Sequence, residues 1–202
     1  MEQGACGLST GLIYVPGRYS RSEEIAELAA EVAPFRGLYA THMRNEGDGL
    51  LESVEETLAI GRQAGVAVHI SHHKAAGARN WGRVTDSLAA VDRANAEGAD
   101  VTLDVYPYTA GSGRMIEYFD LARIDVALAR VIRLATCPSF PEYEGRMLLD
   151  IAAEENKSLE ELVTTILTSP DAGRTICIQY LMCEEDIETN LRHPLVMVGS
   201  DG

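Results

Sequence analysis

No stretch of this 202-residue sequence approaches the ~18–20 continuous apolar residues of a membrane-spanning helix. The first residues, Met1-Glu2-Gln3-Gly4-Ala5-Cys6, have neither the basic start nor the apolar core of a signal peptide. The four cysteines, Cys6, Cys137, Cys177 and Cys183, are scattered and form no CxxC pair. Without a secretion signal they read as reduced thiols, and the expected location is the cytoplasm. Basic residues are scarce: 17 Lys and Arg stand against 31 Asp and Glu, a formal charge of −14. Such a surface repels phosphate backbones and anionic headgroups, which argues against nucleic acid and membranes as partners. Internal repeats, low-complexity tracts and linkers are also missing, so residues 1–202 read as one domain. That length supports a substantial core but falls short of the roughly 250 residues of a complete (β/α)8 barrel.

What is present is a recurring unit of apolar strand, polar turn, amphipathic helix and glycine. Ser20-Arg21-Ser22-Glu23 has the pattern of a capping box, and Ile25, Leu28, Ala29 and Val32 follow at helical spacing. Leu50, Leu51, Val54 and Leu58 mark a second helix that Gly65 ends; Leu88, Val91 and Ala94 mark a third, ended by Gly98. Strands at 37–41, 66–71 and 101–106 alternate with them. Successive βα units imply parallel strands with right-handed crossovers, and near-continuous apolar runs imply strands covered on both faces. The fold expected is α/β: an incomplete (β/α)8, TIM-type barrel.

Beyond Tyr108 the pattern is less regular. Residues 109–113 read as a loop, 121–134 as a helix and 175–181 as a strand. Ser158-Leu159-Glu160-Glu161 reads as a second capping box, and Glu184-Glu185-Asp186 suits the positive end of a short helix.

Several strands end in residues able to bind a metal or move a proton. The first of these delivers His42, the second His72, His73 and Lys74, the third Asp104 and Tyr106, and the last, 194–200, delivers Asp201. In a barrel, groups at the C-terminal ends of different strands converge on one mouth. Two imidazoles from consecutive units and a terminal carboxylate form a metallohydrolase pattern. Because successive side chains of a strand point to opposite faces, alternation by itself leaves the choice between His72 and His73 open. His69 reads as a packing residue, and His193 as a surface or capping residue.

Read in order, the motifs carry a resemblance. They are Gly7-Leu8-Ser9-Thr10-Gly11-Leu12-Ile13-Tyr14, Thr41-His42-Met43-Arg44-Asn45-Glu46, Ser71-His72-His73-Lys74, Asn80-Trp81-Gly82, Asp104-Val105-Tyr106-Pro107-Tyr108, and His193-Pro194 through Gly199-Ser200-Asp201-Gly202. Together they resemble the D-aminoacylase (N-acyl-D-amino-acid deacylase) family of the amidohydrolase superfamily, over nearly the whole chain.

The resemblance implies strands four to eight of a metallo-dependent hydrolase barrel that cleaves the amide of N-acyl-D-amino acids, with Zn2+ as cofactor. It implies His42 and His72 as metal ligands and Asp201 as the catalytic acid/base. Lys74 and Tyr106 would bind the substrate carboxylate, and Tyr14 would hydrogen-bond near the scissile carbonyl. The family pattern favours His72 over His73, as the first histidine after the strand serine. Beside these roles stand plainer ones: Tyr14 as a rim aromatic, Lys74 as a solvated loop charge, Tyr106 as packing beside Pro107. Arg44 and Glu46 are expected to brace a loop, and Trp81 to pack on the rim.

The family's first-strand His-x-His pair and second-strand metal-binding cysteine have no counterpart here, so the chain reads as a fragment with an impaired site. Self-association through open barrel edges is expected. Two alternatives are kept. A dihydroorotase- or hydantoinase-like enzyme usually supplies a carboxylated lysine from the fourth strand, and residues 8–14 contain no lysine. A non-catalytic half-barrel serving in binding or assembly is the other.

Overall fold

Residues 1–201 are described by a computed structural model, in which the chain packs as two compact units. The first comprises Met1–Tyr108 and Met182–Gly202, the second Thr109–Leu181.

The first unit is built on a parallel sheet. Strands β1 (Gly7–Gly11), β2 (Leu38–His42), β3 (Ala67–Ile70) and β4 (Val101–Val105) run side by side in chain order. Helices α1 (Ser22–Ala30), α2 (Leu50–Ala64) and α3 (Val84–Ala96) make the crossovers. The register pairs Gly11 with His42, Thr41 with Ile70 and Ile70 with Leu103, so neighbouring strands finish at nearly the same level.

Alternation along the strands is sharper than the apolar runs suggest. Tyr39, Val68, Ile70, Val101 and Leu103 are buried in one core with Ile25, Leu50, Val54, Leu58, Leu88 and Val91 of the three helices. On the opposite face Ala40, His42, His69, Thr102 and Asp104 are only half-buried. Only the helix-bearing face of the sheet is fully covered, which corrects the expectation that both would be. The reason is geometric: every crossover helix packs on one side, and the other face carries mostly polar residues.

Gly65 ends α2 in a left-handed conformation at φ 67, which a residue without Cβ adopts freely. The start of α1 differs from expectation. Arg21 occupies the cap position without a side-chain hydrogen bond, and Ser22 Oγ donates instead to Glu56 at 2.6 Å.

The second unit holds an antiparallel sheet of β5 (Gly111–Arg114), β6 (Ile132–Thr136) and β7 (Ile176–Gln179), in the order β5-β7-β6. Helices α4 (Val126–Ala129), α5 (Leu148–Glu154) and α6 (Leu159–Leu167) belong to it, and Ile132, Leu134, Ile151, Leu162, Ile166 and Cys177 share its core. Two expectations fail here. Residues 109–113 enter a strand rather than a loop, and 121–134 holds one turn of helix followed by β6. Ile132 and Leu134 alternate with half-exposed Arg133, a strand period that pairing with β7 selects. Ser158 does cap α6 through a reciprocal box with Glu161.

The chain then returns to the first unit through α7 (Glu184–Arg192) and β8 (Val196–Val198), which pairs parallel to β4 with Val198 opposite Val105. No helix among the described residues is long and apolar enough to cross a membrane.

Candidate metal centre

Parallel strands ending at one level place their last residues in a common neighbourhood. His42 closes β2, and His72 follows β3 by two residues in a left-handed turn at φ 41. That turn is held by Asp104, whose Oδ1 accepts the His72 backbone N–H at 2.7 Å, and by Thr41, whose carbonyl accepts from Ser71 at 3.0 Å. The His42 and His72 rings meet edge-on with centroids 4.3 Å apart. Tyr14 lies 4.9 Å from the His42 ring and Tyr106 lies 6.5 Å from the His72 ring. Lys74 Nζ sits 5.2 Å from the Tyr106 ring centre. Asp201, just past β8, brings Oδ1 to 3.9 Å from His72 Nε2. All six residues named from the sequence are therefore gathered at one end of the sheet.

Glu46 joins them. Its Oε1 lies 2.9 Å from His72 Nδ1 and accepts from Lys74 Nζ at 2.8 Å, and its Oε2 lies 3.9 Å from His42 Nε2. Among the described residues, His42, Glu46 and His72 form one group able to hold a metal ion, with donor atoms within 4.8 Å of one another. Burial pushes the His42 imidazole down to about 4, despite the opposing pull of Glu46, so the ring is neutral and offers a lone pair. Burial would raise the Glu46 carboxyl, but the Lys74 ammonium and the His72 hydrogen bond hold it well below the usual range.

His42 Nε2 is buried and has no hydrogen-bond partner. Leaving such an atom unsatisfied costs on the order of 1–3 kcal/mol. A cation bound by neutral imidazole nitrogens would satisfy it, so the donor set fits a zinc-type ion.

The remaining histidines do other work. His73 turns away from the site: Nδ1 lies 2.6 Å from Asn190 Oδ1 of α7 and Nε2 lies 2.8 Å from Ser87 Oγ of α3. His69, expected to pack, instead bonds Thr102 at 2.8 Å and Asp104 at 2.6 Å on the half-buried face. His193 pairs with Asp92 at 3.2 Å. Arg44 braces its loop as expected, donating to Glu56 and to the carbonyls of Arg18 and Ser20. Lys74 is a buried ion pair rather than a solvated charge. Trp81 is half exposed, whereas neighbouring Asn80 is buried against Asp48 and Ala76.

Sequence reasoning missed the part played by Glu46. Its signal was the spacing His42–Glu46, four residues apart in a segment too irregular for that spacing to identify a shared face. Asp104 was noticed at its strand end without a role; its two oxygens hold His69 and the His72 backbone.

A parallel α/β sheet that gathers two imidazoles, two carboxylates and a lysine at its C-terminal strand ends has the architecture of the metal-dependent amidohydrolases. No family model matches the chain. Individual relatives do: the D-aminoacylase of Alcaligenes xylosoxydans xylosoxydans is 40% identical over 202 residues, all of this chain and 39% of the relative. The structure of N-acyl-D-glutamate deacylase from Bordetella bronchiseptica, complexed with zinc and a phosphonate mimic of the tetrahedral intermediate, superposes with a TM-score of 0.86. It is 38% identical, with 98% of this chain and 40% of that one covered. A crystal structure of D-aminoacylase, described as defining a novel subset of amidohydrolases, gives a TM-score of 0.84 at 39% identity, covering 100% and 40%. The chain is a homologue of the D-aminoacylases along its whole length, and it spans about 39% of the length of the curated relatives it matches.

Proposed function

We propose that this chain carries part of the active site of a zinc-dependent hydrolase that cleaves the amide bond of N-acyl-D-amino acids. The observation that carries the reading is the buried, unpartnered His42 Nε2 beside a second imidazole at 4.3 Å. The zinc-bound deacylase to which the chain is similar supports it.

His42 and His72 would hold the metal. Bound zinc supplies a Lewis acid that polarises a carbonyl and activates water near neutral pH. Asp201 takes a proton from the attacking water and returns it to the departing amine nitrogen, a role suited to its place beside His72 at the rim. The Tyr14 hydroxyl donates toward the carbonyl oxygen as charge develops on it. Lys74, with Tyr106 beside it, meets the substrate carboxylate as a compact point charge.

In this reading β1, β2, β3, β4 and β8 correspond to strands four to eight of a (β/α)8 barrel, and 1–202 is one partial barrel domain carrying residues 109–181 as an insertion. A cytoplasmic location without nucleic-acid or membrane partners rests on the net charge of −14.

The test is enantioselective hydrolysis. The chain is assayed with zinc, alone and joined to the first strands of a D-aminoacylase, on N-acetyl and N-formyl derivatives of both enantiomers. Release of D-amino acids is expected. Equal activity on L-substrates, or activity on cyclic ureides only, removes the proposal.

A further inference from the structure

The Glu46 carboxylate closes a triangle of short contacts. Its Oε1 lies 2.9 Å from His72 Nδ1 and 2.8 Å from Lys74 Nζ, and those two nitrogens are 2.8 Å from each other. All three side chains are buried.

The triangle poses a question of proton placement. An ammonium only donates, and a neutral imidazole has one donor and one acceptor nitrogen. If Lys74 donates to Nδ1, the ring proton sits on Nε2 and the lone pair a cation needs there is lost. If Nδ1 carries the proton, it donates to Glu46, and Nε2 stays open on the side of Asp201. A carboxylate repels a bare lone pair on Nδ1 and, being acceptor-only with two lone pairs on each oxygen, takes hydrogens from both neighbours at once.

We propose that Glu46 is a positioning residue that sets the His72 tautomer: it accepts the Nδ1–H, draws the Lys74 ammonium onto itself, and so leaves Nε2 free for a cation. The inference rests on the reading of His72 as a metal ligand and deepens it. Metal-ligating histidines commonly donate their second ring N–H to a carboxylate. Here the same oxygen also holds the lysine assigned to the substrate carboxylate. An anionic substrate group can therefore draw Lys74 away while Glu46 keeps the His72 ring in place.

Long-range 1H–15N correlation spectra of the imidazoles report the tautomer without metal, and zinc titration against a competing chelator reports affinity. In the wild-type chain His72 is expected as the Nδ1–H form. Lys74→Met should leave that form unchanged. Glu46→Leu should shift the ring to Nε2–H, because Lys74 then donates to Nδ1, and should weaken zinc by roughly 10–100-fold. Glu46→Leu combined with Lys74→Met should recover part of the Nδ1–H population. Glu46→Gln, which keeps an acceptor oxygen, should cost no more than about tenfold in zinc affinity, within the lower part of that range.

An unchanged tautomer in Glu46→Leu, or a shifted one in Lys74→Met, overturns the proposal. So does a loss in Glu46→Gln as large as that in His72→Ala, which would make Glu46 a ligand itself. Circular dichroism checks the fold of each variant, and if Glu46→Leu does not fold, Lys74→Met and Glu46→Gln decide. Zinc binding unweakened by His42→Ala and His72→Ala removes the metal reading, whereas the metal-free spectra judge Glu46 independently.

Discussion

Two buried residues of this chain reach opposite electrostatic solutions. Glu46 keeps its charge because a buried ammonium lies 2.8 Å away; His73, wholly enclosed, gives up its charge and is pushed down to about 4 by burial. The neutral His73 ring donates Nδ1–H to Asn190 and accepts from the Ser87 hydroxyl, tying α3 to α7. In the unfolded chain a histidine titrates near 6.5. Between that value and about 4 the unfolded state binds the extra proton, so stability is full above 6.5 and falls as the pH drops toward 4. The shift corresponds to about 3 kcal/mol at most. Urea unfolding at pH 7.5 and pH 4.5 should show this loss in the wild type and a smaller one in His73→Gln; an equal loss in both assigns it elsewhere. Under the proposed activity, Lys74→Ala should mainly raise KM and Asp201→Asn mainly lower kcat, read by steady-state kinetics of D-amino-acid release. His42 and Asp201 were legible because each ends an apolar run, and His72 as one of two adjacent histidines that end another, between which the family resemblance chose. Glu46 was not, since its carboxylate reaches His72 only through the path of an irregular loop.

Elements differ in how locally their signals are decided. The box at Ser158 and Glu161 is closed within three residues and forms as the sequence implies. The matching pattern at Ser20–Glu23 does not, because α1 starts at Ser22 with Arg21 in the cap position, which leaves Ser20 one residue outside the cap. Ser158→Ala should therefore destabilise the chain by about 0.5–2 kcal/mol in urea unfolding, whereas Ser20→Ala should leave stability nearly unchanged. Inside α2, a Cβ on Gly61 would come within 2.2 Å of Val68 Cγ2 on β3. Gly61→Ala gains helix propensity but overpacks this contact. A net loss of roughly 1–3 kcal/mol is expected, and a stabilised variant would show that α2 can move off the sheet freely. The segment at 132–136 illustrates the limit of periodicity: a short apolar run fits a helix or a strand until a partner is known, and β7 is that partner.

On the scale of the whole molecule, the parallel sheet ends at β1 on one side and β8 on the other. Its helix-free face carries Ala40, His42, His69, Thr102 and Asp104, all half-buried. Sheet edges offer unpaired backbone groups, and five strands are fewer than the eight that usually close a barrel. We expect the chain as given to self-associate through these edges. Sedimentation velocity over a range of concentrations measures it, and a monomer throughout would contradict the expectation.

The sequence by itself determined the βα alternation, the parallel run of strands at 37–41, 66–71 and 101–106, and which strand ends carry imidazoles. Those features follow from side-chain period and chain connectivity, which are local. Only the tertiary structure decided that 109–181 packs as its own unit, that His73 turns toward α3 and α7 while His72 faces His42, and that Glu46 closes on His72 and Lys74. Each of these depends on partners distant along the chain, and burial then makes the pairing of every polar group obligatory.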